Sequence, residues 1–242
     1  MLFRSTAPQS PHFDAARFAG APRNANHFDW ELYYRYKDER DGYWIEQLGS
    51  NAEFQQQARA HARAFDDSIE RTRALLRAVS RPRILDIGLS SEKLDGTLID
   101  MLGARLTVVD VEAAAEDYLG TMDTDSRFVI SNVISLAQQP DHAGHYDLVY
   151  SVGLVEHFPD KDAIMGAHCQ LAAPGGLVLI YAPIDTPLNR RLTATIPALE
   201  NFGYRELLTP DELAQAVLCP GLEIVASATV GLFSAVWARR SA

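Results

Sequence analysis

The chain has 242 residues, 47% of them apolar and 22% charged, which is enough material for one domain with additions or for two small domains. No segment reaches the ~18 consecutive apolar residues that a membrane-spanning helix needs, so we expect no integral membrane protein. The two cysteines, Cys169 and Cys219, are too few for a disulfide framework or a zinc cage, which favours a reducing, cytoplasmic location. The start, MLFRSTAPQS, lacks an apolar stretch, so we expect no secretory signal.

The formal net charge is −10, from 22 basic and 32 acidic residues. Residues 1–80 carry 11 of each sign, so the whole excess of negative charge falls in residues 81–242. A negative field repels a phosphate backbone, and we therefore expect no nucleic-acid partner. Solubility alone explains the charge equally well.

Three segments are predicted before the main domain. Residues 1–27 have no hydrophobic periodicity and are predicted to form a flexible arm, either a bacterial N-terminus or a transit peptide. Residues 28–44 hold seven of the chain's 22 aromatic residues, a density that predicts packing as a cap or closure as a lid. One long helix is predicted over 52–79, and together these residues make 28–80 a helical cap or lid extension.

After Pro82 short apolar strands alternate with helices. Strands are predicted at 83–88, 105–111, 127–133, 146–152 and 177–183, and helices at 91–103, around 114–118 and at 160–173. Near-continuous apolar strands separated by helices indicate an α/β fold with a doubly wound, mostly parallel sheet covered on both faces.

The last quarter of the chain adds a helix and two strands. Thr209, Pro210 and Glu212 form a helix-start signal, with a capping residue, a proline at the first position and an acid at the third. Residues 222–230 and 233–240 are predicted as strands that pair as a hairpin around Gly231.

In a doubly wound sheet a ligand lies beyond the carboxyl ends of the strands, where helix N-termini point at it. The first predicted strand ends at Gly88, which permits a sharp turn, and the second ends at Asp110, 22 residues later. A carboxylate at that distance can accept hydrogen bonds from two ribose hydroxyls, so the spacing fits nucleoside binding. Packing and turn requirements also place glycine and aspartate at such strand ends.

Five motifs occur in order: ILDIG, VVD, ISNV, YDLVYSVGLVEHF and LAAPGGLVLIYAP. Together with the LTPDEL helix start they resemble the class I S-adenosylmethionine-dependent methyltransferases, especially the group that acts on small molecules. The resemblance covers about residues 80–240. It implies a Rossmann-like, seven-stranded sheet with an antiparallel last strand, an S-adenosyl-L-methionine-binding domain over 81–242, and that cofactor.

On the methionine side of the cofactor, the resemblance implies that Asp86 and Gly88 shape the first loop and that Ser151 lines the pocket. The second and third glycines of the family's loop are Ser90 and Glu92 here. The small hydroxyl of Ser90 can cap the following helix, and an acid in the first helical turn is favourable to the helix dipole.

On the adenosine side, the resemblance implies that Asp110 holds the ribose and that Val111 packs on the adenine. Asn132 stands where the family usually has an acid, and its amide oxygen can accept the same bond from the adenine amino group. Val133 would offer its backbone N–H to the adenine ring.

His157 is the candidate catalytic residue, since an imidazole can take a proton from a substrate hydroxyl or amine near neutral pH. The alternative is that Glu156 and His157 form part of the pocket wall. Gly153 replaces a glutamate that binds metal in some quinone-ring O-methyltransferases of the group, so the resemblance implies no metal. Two further histidine sites are expected to be ordinary: solvated positions in the polar loop (142 and 145) and a core or groove position (168).

The function expected from the resemblance is methyl transfer to a hydroxyl or amine of a small molecule or sugar-containing, glycan-type metabolite. Acceptor specificity is expected from residues 28–44 and 184–208, where Asn189, Arg190 and Arg191 could pair with an acidic acceptor or be solvated. The alternative is a catalytically silent member that serves as a binding or regulatory partner, which the altered glycine loop favours. A nicotinamide-dependent oxidoreductase is disfavoured because G-x-G-x-x-G is absent.

Overall fold

The computed structural model of the chain describes residues 52–76, 79–89, 92–113, 125–187, 189 and 206–242. The predicted arm at 1–27, the aromatic segment at 28–44 and the helix around 114–118 lie outside the described residues. The division into arm, cap and main domain therefore stays a prediction.

Helices and strands alternate along most of the described chain. They are α1 (Ala52–Leu75), β1 (Arg83–Ile87), α2 (Glu92–Leu102), β2 (Arg105–Asp110), β3 (Arg127–Ile130), α3 (Val133–Ala137), β4 (Tyr146–Val152), a 3₁₀ turn (Val155–His157), α4 (Asp162–Leu171), β5 (Ala172–Pro183), α5 (Pro210–Ala216), β6 (Leu222–Val230) and β7 (Phe233–Arg240). None of the helices in these ranges is long and apolar enough to cross a membrane.

All seven strands belong to one sheet with the order β3-β2-β1-β4-β5-β7-β6. The pairings among β1 to β5 are parallel, whereas β7 is antiparallel to both of its neighbours. The predicted fold class is confirmed: an α/β, doubly wound, mostly parallel seven-stranded sheet with an antiparallel last strand. The predicted β6–β7 hairpin is confirmed as well.

Several predicted element boundaries are wrong: the helix predicted over 52–79 ends at Leu75, and the helix predicted over 160–173 spans Asp162–Leu171. Two further differences have a clear cause. The third strand ends at Ile130 rather than at residue 133, because Asn132 leaves the sheet and caps α3. Strand β5 begins at Ala172 rather than at residue 177, since the segment Pro174-Gly175-Gly176 continues the strand instead of only ending α4. A register shift between Tyr146 and Leu148 on β4 accompanies this added length.

Each face of the sheet carries its own apolar core. One core joins Ile69 of α1, Leu76 directly after it and Leu98 of α2 to sheet residues such as Tyr181 and Trp237. The other joins the helices α3, α4 and α5 to the opposite face and includes residues such as Leu136, Ile164 and Leu213. The alternation of the two clusters along β1 shows why its apolar run is continuous: both faces are covered.

Helix α1 is fixed to the sheet by two buried hydrogen bonds. The Trp237 indole donates to Thr72 Oγ1 at 2.9 Å, and the Thr72 hydroxyl donates in turn to the Ser68 carbonyl at 2.8 Å. The hydroxyls of Ser68 and Tyr181 lie 2.7 Å apart. These contacts set the position of the helix more specifically than its apolar stripe alone, because each polar group needs its partner.

The start of α5 has the predicted capping box. Glu212 donates its backbone N–H to Thr209 Oγ1, and its carboxylate accepts from the Thr209 backbone N–H at 2.8 Å. These hydrogen bonds from Thr209 lower the pKa of Glu212. The capping residue therefore ends the preceding segment and fixes where α5 enters the core.

Asn189 lies in neither of the environments expected for it. Its side chain is buried and its Nδ2 donates to the carbonyls of Ile184 and Leu232, at 2.6 and 2.8 Å. It thereby connects the segment after β5 to the β6–β7 turn. Its side chain is therefore neither solvated nor available to pair with an acidic methyl acceptor. Arg190 and Arg191 lie outside the described residues.

His168 on α4 occupies the core position expected for it. The side chain is fully buried, Nδ1 lies 2.8 Å from the Ile164 carbonyl, and Nε2 lies 3.1 Å from Ser151 Oγ. A carbonyl only accepts, so Nδ1 carries the proton and the Ser151 hydroxyl donates to Nε2. Burial lowers the pKa of His168 to about 4, although the bond to Ile164 acts in the opposite direction.

We expect Thr72→Val to lower the free energy of unfolding by about 1–3 kcal/mol, because the buried Trp237 N–H loses its acceptor. Urea denaturation measures the change. Thr229→Val is the matched control at an exposed position of β6 and should stay within about 0.5 kcal/mol. Equal effects of the two substitutions would contradict the anchoring role of Thr72.

We expect the unfolding free energy to fall as the pH drops from about 6.5 to about 4, through the His168 imidazole. The unfolded chain binds a proton at an ordinary histidine pKa of 6.5, whereas the folded chain does so only near 4. The unfolded state therefore binds more protons in this pH window, and this difference lowers the free energy of unfolding by up to about 3 kcal/mol. Urea denaturation at several pH values should show a shallower slope for His168→Gln. An unchanged slope would refute the assignment.

Candidate functional site

The strand order switches direction between β1 and β4: β1 is followed by β2 on one side, and β4 is followed by β5 on the other. This topology predicts a ligand crevice at the carboxyl ends of β1 and β4. At the end of β1, Gly88 adopts φ +84° and donates its N–H to the Val109 carbonyl at 2.8 Å. Leu89 follows with φ +27°. Two successive positive φ values turn the chain sharply at the end of the strand, where the sequence predicts a ligand loop.

Two predicted cofactor residues on the methionine side are buried. The Asp86 side chain is 0% exposed on β1, in register with Val108 and Tyr150 on the flanking strands. The Ser151 side chain is also 0% exposed, and its hydroxyl proton is committed to His168. A ligand would therefore find only the acceptor lone pairs of Ser151, and it would reach them only if the neighbouring side chains moved.

Asp110 is the last residue of β2, and Val111 follows it directly. Asp110 is 6% exposed, and its Oδ1 accepts the Glu112 backbone N–H at 2.9 Å, which holds the carboxylate in a turn at the sheet edge. Val111 is 46% exposed and Ile130, at the end of the neighbouring strand β3, is 57% exposed. A carboxylate thus lies beside two apolar side chains that the fold leaves uncovered.

Asn132 and Val133 form the N-terminus of α3. The Asn132 side-chain oxygen accepts the Ile134 backbone N–H at 2.9 Å and so acts as the helix cap. Val133 is the first helical residue, a position whose backbone N–H has no acceptor within the helix. The capping role was not predicted, because the sequence pattern placed both residues in the third strand.

The 3₁₀ turn after β4 carries the candidate base. Gly153 adopts φ +71° and donates its N–H to the Tyr181 carbonyl, which directs the chain back over the end of β4. The Glu156 and His157 side chains are 2% and 7% exposed, and His157 Nε2 lies 3.7 Å from Glu156 Oε1. The turn therefore presents an almost buried imidazole beside a buried carboxylate.

A second contact holds this turn against the segment before α5. The Glu206 backbone N–H donates to the Glu156 carbonyl at 3.2 Å, and the Lys161 ammonium forms an ion pair with the Glu206 carboxylate. Lys161 also donates to the Phe158 carbonyl at 3.0 Å. Sequence reasoning missed these residues, because no local pattern links positions 45 residues apart.

The remaining predicted site residues are placed as follows. Ser90 lies outside the described residues, and Glu92 is the first residue of α2, the first-turn position expected for it. Helix α2 is attached to β4 by a buried hydrogen bond from the Tyr150 hydroxyl to Asp95. In the described part of the chain, no group of three or more His, Cys, Asp or Glu side chains is arranged to hold a metal ion.

The two loop histidines differ from the expectation in part. His145 is exposed as expected. His142 is half-buried, and its Nδ1 lies 2.6 Å from the Tyr146 hydroxyl, so it is a packed residue and not a solvated one. Both lie at the amino ends of the strands, opposite the crevice.

Comparisons with known proteins identify curated relatives at low identity. The chain is 23% identical over 158 residues to a ubiquinone biosynthesis O-methyltransferase of Marinobacter nauticus, covering 59% of this chain and 64% of the relative. It is 28% identical over 159 residues to the protein of the same name from Sinorhizobium fredii, covering 59% and 60%. The chain thus spans less than two thirds of the length of these relatives.

Solved structures share the fold. A Burkholderia thailandensis 1,6-didemethyltoxoflavin-N1-methyltransferase with bound S-adenosylhomocysteine aligns over 91% of this chain and 94% of its own, at 19% identity and a TM-score of 0.53. A putative sarcosine dimethylglycine methyltransferase from Galdieria sulphuraria aligns over 76% and 86%, at 12% identity and a TM-score of 0.54.

The family comparison covers most of the fold. A family model described as a methyltransferase domain matches residues 54–227, from α1 to the middle of β6. This range contains the carboxyl ends of β1, β2, β3 and β4, and the strand order agrees with the resemblance seen in the motifs. The chain belongs to the class I S-adenosylmethionine-dependent methyltransferase family.

Proposed function

We propose that the protein is an S-adenosylmethionine-dependent methyltransferase that methylates a hydroxyl or amine of a small molecule or sugar-containing metabolite. One observation carries this proposal. The adjacent carboxyl ends of β1, β2 and β3 carry four features. They are a glycine with positive φ, a carboxylate suited to ribose hydroxyls, exposed apolar side chains and a helix N-terminus. These are the groups that a nucleoside with a charged tail requires.

Asp110 is the proposed ribose ligand. One of its oxygens accepts the Glu112 N–H, and an ionised carboxylate has about four acceptor sites, so this contact is compatible with further hydrogen bonds from ribose hydroxyls. The turn that uses Oδ1 also fixes the direction of the carboxylate, which reduces the entropy lost on binding. Val111 and Ile130 then offer apolar surface to the adenine ring, and covering them is itself favourable.

The adenine edge is proposed to meet the start of α3. The Val133 N–H is oriented outward by the helix and can donate to a ring nitrogen. The Asn132 side-chain oxygen, Oδ1, caps the helix with one lone pair and has a second lone pair that could accept from the adenine amino group. Gly88 completes the site, since its turn brings backbone close to the ligand.

When bound, the cofactor supplies a methyl group on a sulfonium, and a neutral thioether leaves as the new bond forms. The chain's own contribution is orientation and exclusion of water. His157 is proposed to take the proton that leaves the acceptor oxygen or nitrogen. The Glu156 carboxylate 3.7 Å away stabilises the imidazolium that results, and the near-complete burial of both side chains strengthens that attraction.

The acceptor is proposed at the level of its chemical class. Curated relatives named as O-methyltransferases favour a hydroxyl over an amine. We propose a small molecule as the partner and neither a nucleic acid nor a membrane. The proposed location is the cytoplasm. Residues 28–44 remain the proposed lid over the site, and residues 28–44 and 184–208 together remain the proposed source of acceptor specificity.

A catalytically silent protein of the same fold is the second candidate. The observation in its favour is Glu92, an acid that begins α2 where the family has a glycine near the cofactor's own carboxylate. Calorimetry with S-adenosylmethionine and S-adenosylhomocysteine separates the two functions. Binding of neither ligand would favour the silent protein, because Glu92 would then oppose the cofactor's carboxylate, whereas binding of either ligand would favour the methyltransferase.

We expect Asp110→Ala to weaken S-adenosylhomocysteine binding by about 10- to 100-fold, since two hydrogen bonds to a charged group are lost. Isothermal titration calorimetry measures the effect. Asp100→Ala is the matched control, because Asp100 is an exposed acid on α2. Asp110→Asn keeps an oxygen for the Glu112 N–H and tests whether the charge matters apart from the turn. Unchanged affinity in a folded Asp110→Ala protein would refute the ribose assignment.

We expect His157→Ala to lower turnover by about 10²–10⁴-fold while S-adenosylhomocysteine affinity stays within about twofold. The measurement is the release of S-adenosylhomocysteine with phenolic and amine acceptors, beside calorimetry and thermal unfolding of the same variant. A wall residue would behave differently: turnover would persist, or its loss would accompany lower thermal stability. Either of those results would remove the base assignment.

A further inference from the structure

A second depression lies at the amino ends of the strands, roughly 13 Å from the carboxyl edge by the length of β1. Its volume is about 610 Å³, within the range of small-molecule sites. Strands β1, β2 and β3 each begin with an arginine there: Arg83, Arg105 and Arg127. The floor includes Thr107 and Tyr146. This depression is separate from the proposed methyl-transfer site.

The sheet register places the three arginines on one face. Arg83 is directly paired with Arg105, and Arg127 is paired with Thr107, two residues after Arg105. Side chains two residues apart on a strand point to the same side, so all three guanidinium groups belong to the face that carries α3 and α4. Neighbouring strands are about 4.8 Å apart, which keeps the three cations close together.

Two of these three cations form no ion pair among the described residues. The Arg83 guanidinium is paired with Asp147 at 3.2 Å, and the lining residue Asp125 is paired with Arg81 at 3.2 Å. Arg105 and Arg127 form no ion pair with any residue in the described ranges, and both are exposed. Asp141 also lines the depression and is exposed. The unpaired positive charge is notable in a chain of net charge −10.

Uncharged donors complete the lining. The His142 ring stacks on Tyr146 with centroids 6.0 Å apart, and the His145 ring meets Tyr146 edge-on at 5.4 Å. His145 Nδ1 lies 3.4 Å from an Arg83 nitrogen. Imidazole and phenol groups beside guanidinium groups provide several hydrogen-bond donors to one anion, and arginine forks bind phosphate oxygens in pairs.

We propose that this depression binds a small phosphate-bearing metabolite, with Arg105 and Arg127 as the principal phosphate ligands and His142 and His145 as supporting donors. A small anion is favoured over a nucleic acid because the excess negative charge of the chain repels a long polyanion. A small ligand also fits within the depression of about 610 Å³, so it does not extend over the negatively charged surface of the rest of the chain.

The test uses inorganic pyrophosphate as the probe with the full chain, by isothermal titration calorimetry at fixed ionic strength. We expect saturable binding at one site, weakened by about tenfold or more in the double variant Arg105→Gln/Arg127→Gln, because two charge-assisted contacts are lost. Arg73→Gln is the matched control, since Arg73 is an exposed arginine paired with Glu70 on α1. Its affinity should stay within about twofold of wild type.

A second readout is the titration of His145 followed by NMR. Burial lowers the pKa of His145 first, and the nearby Arg83 and His142 lower it further, whereas Asp147 and Asp141 act in the opposite direction. Bound pyrophosphate would offset the field of the cations, so the pKa should rise. An anion bound elsewhere on the chain would leave it unchanged.

Three results would overturn the proposal: no saturation by pyrophosphate, equal losses in the Arg73→Gln control, or displacement of pyrophosphate by S-adenosylhomocysteine. The last would locate the anion at the carboxyl edge. Thermal unfolding checks that the double variant is folded. If it is not, the single variants Arg105→Gln and Arg127→Gln are used for the test instead. Failure of the proposed methyl-transfer site leaves these measurements unaffected, because pyrophosphate binding is read without a methyl acceptor.

Discussion

The parallel alignment of β1 with both β2 and β4 is the constraint on which the rest of the structure depends. Parallel neighbours need crossovers, and the connection after β1 runs towards β2 whereas the connection after β4 runs the other way, towards β5, so the two cannot both cover the gap between these strand ends. A crevice therefore opens above β1, whatever side chains the chain places there. The proposed cofactor site uses this crevice, with the turn at Gly88 and the polar groups at the neighbouring strand ends.

Helices cover both faces of the parallel sheet, and buried polar contacts define the positions of these helices. Thr72 meets Trp237 on one face, Tyr150 meets Asp95 on the same face, and His168 meets Ser151 on the other. A buried donor without its acceptor costs about 1–3 kcal/mol, so a helix shifted by one turn would lose more than its apolar packing. The crevice is thus defined by contacts that lie outside it.

The sequence predicted the sheet well because the strands are covered on both faces, and continuous apolar runs are easy to recognise between helices. It failed where one residue decides between two structures. Asn132 follows an apolar run and looks like part of a strand, yet its side chain is a better helix cap than a strand residue. At Pro174-Gly175-Gly176 the reverse occurred: residues typical of a stop lie within β5, where a register shift on β4 accommodates them.

The candidate site was predictable only at the strand ends, where family motifs fix single residues such as Asp110. Contacts between distant positions were not predictable, because nothing local marks them. Glu206 meets Lys161 and the Glu156 carbonyl only after the chain has folded. The burial of Ser151 and the direction of its hydroxyl follow from His168, 17 residues away. Sequence patterns identify residue types at strand ends, whereas protonation and access depend on the tertiary neighbours.

The same register that builds one site also explains the charge at the opposite edge. Strands of similar length that run in parallel collect their first residues at one edge and their last residues at the other. Here the first residues of β1, β2 and β3 are arginines, and the residues at or near the last positions include Asp86 and Asp110. Arg83 and Asp86 are therefore separated along one strand by only three positions, yet they belong to edges of opposite charge. A sheet of this kind can offer a cationic ligand one edge and an anionic ligand the other, because its backbone alone keeps the two apart.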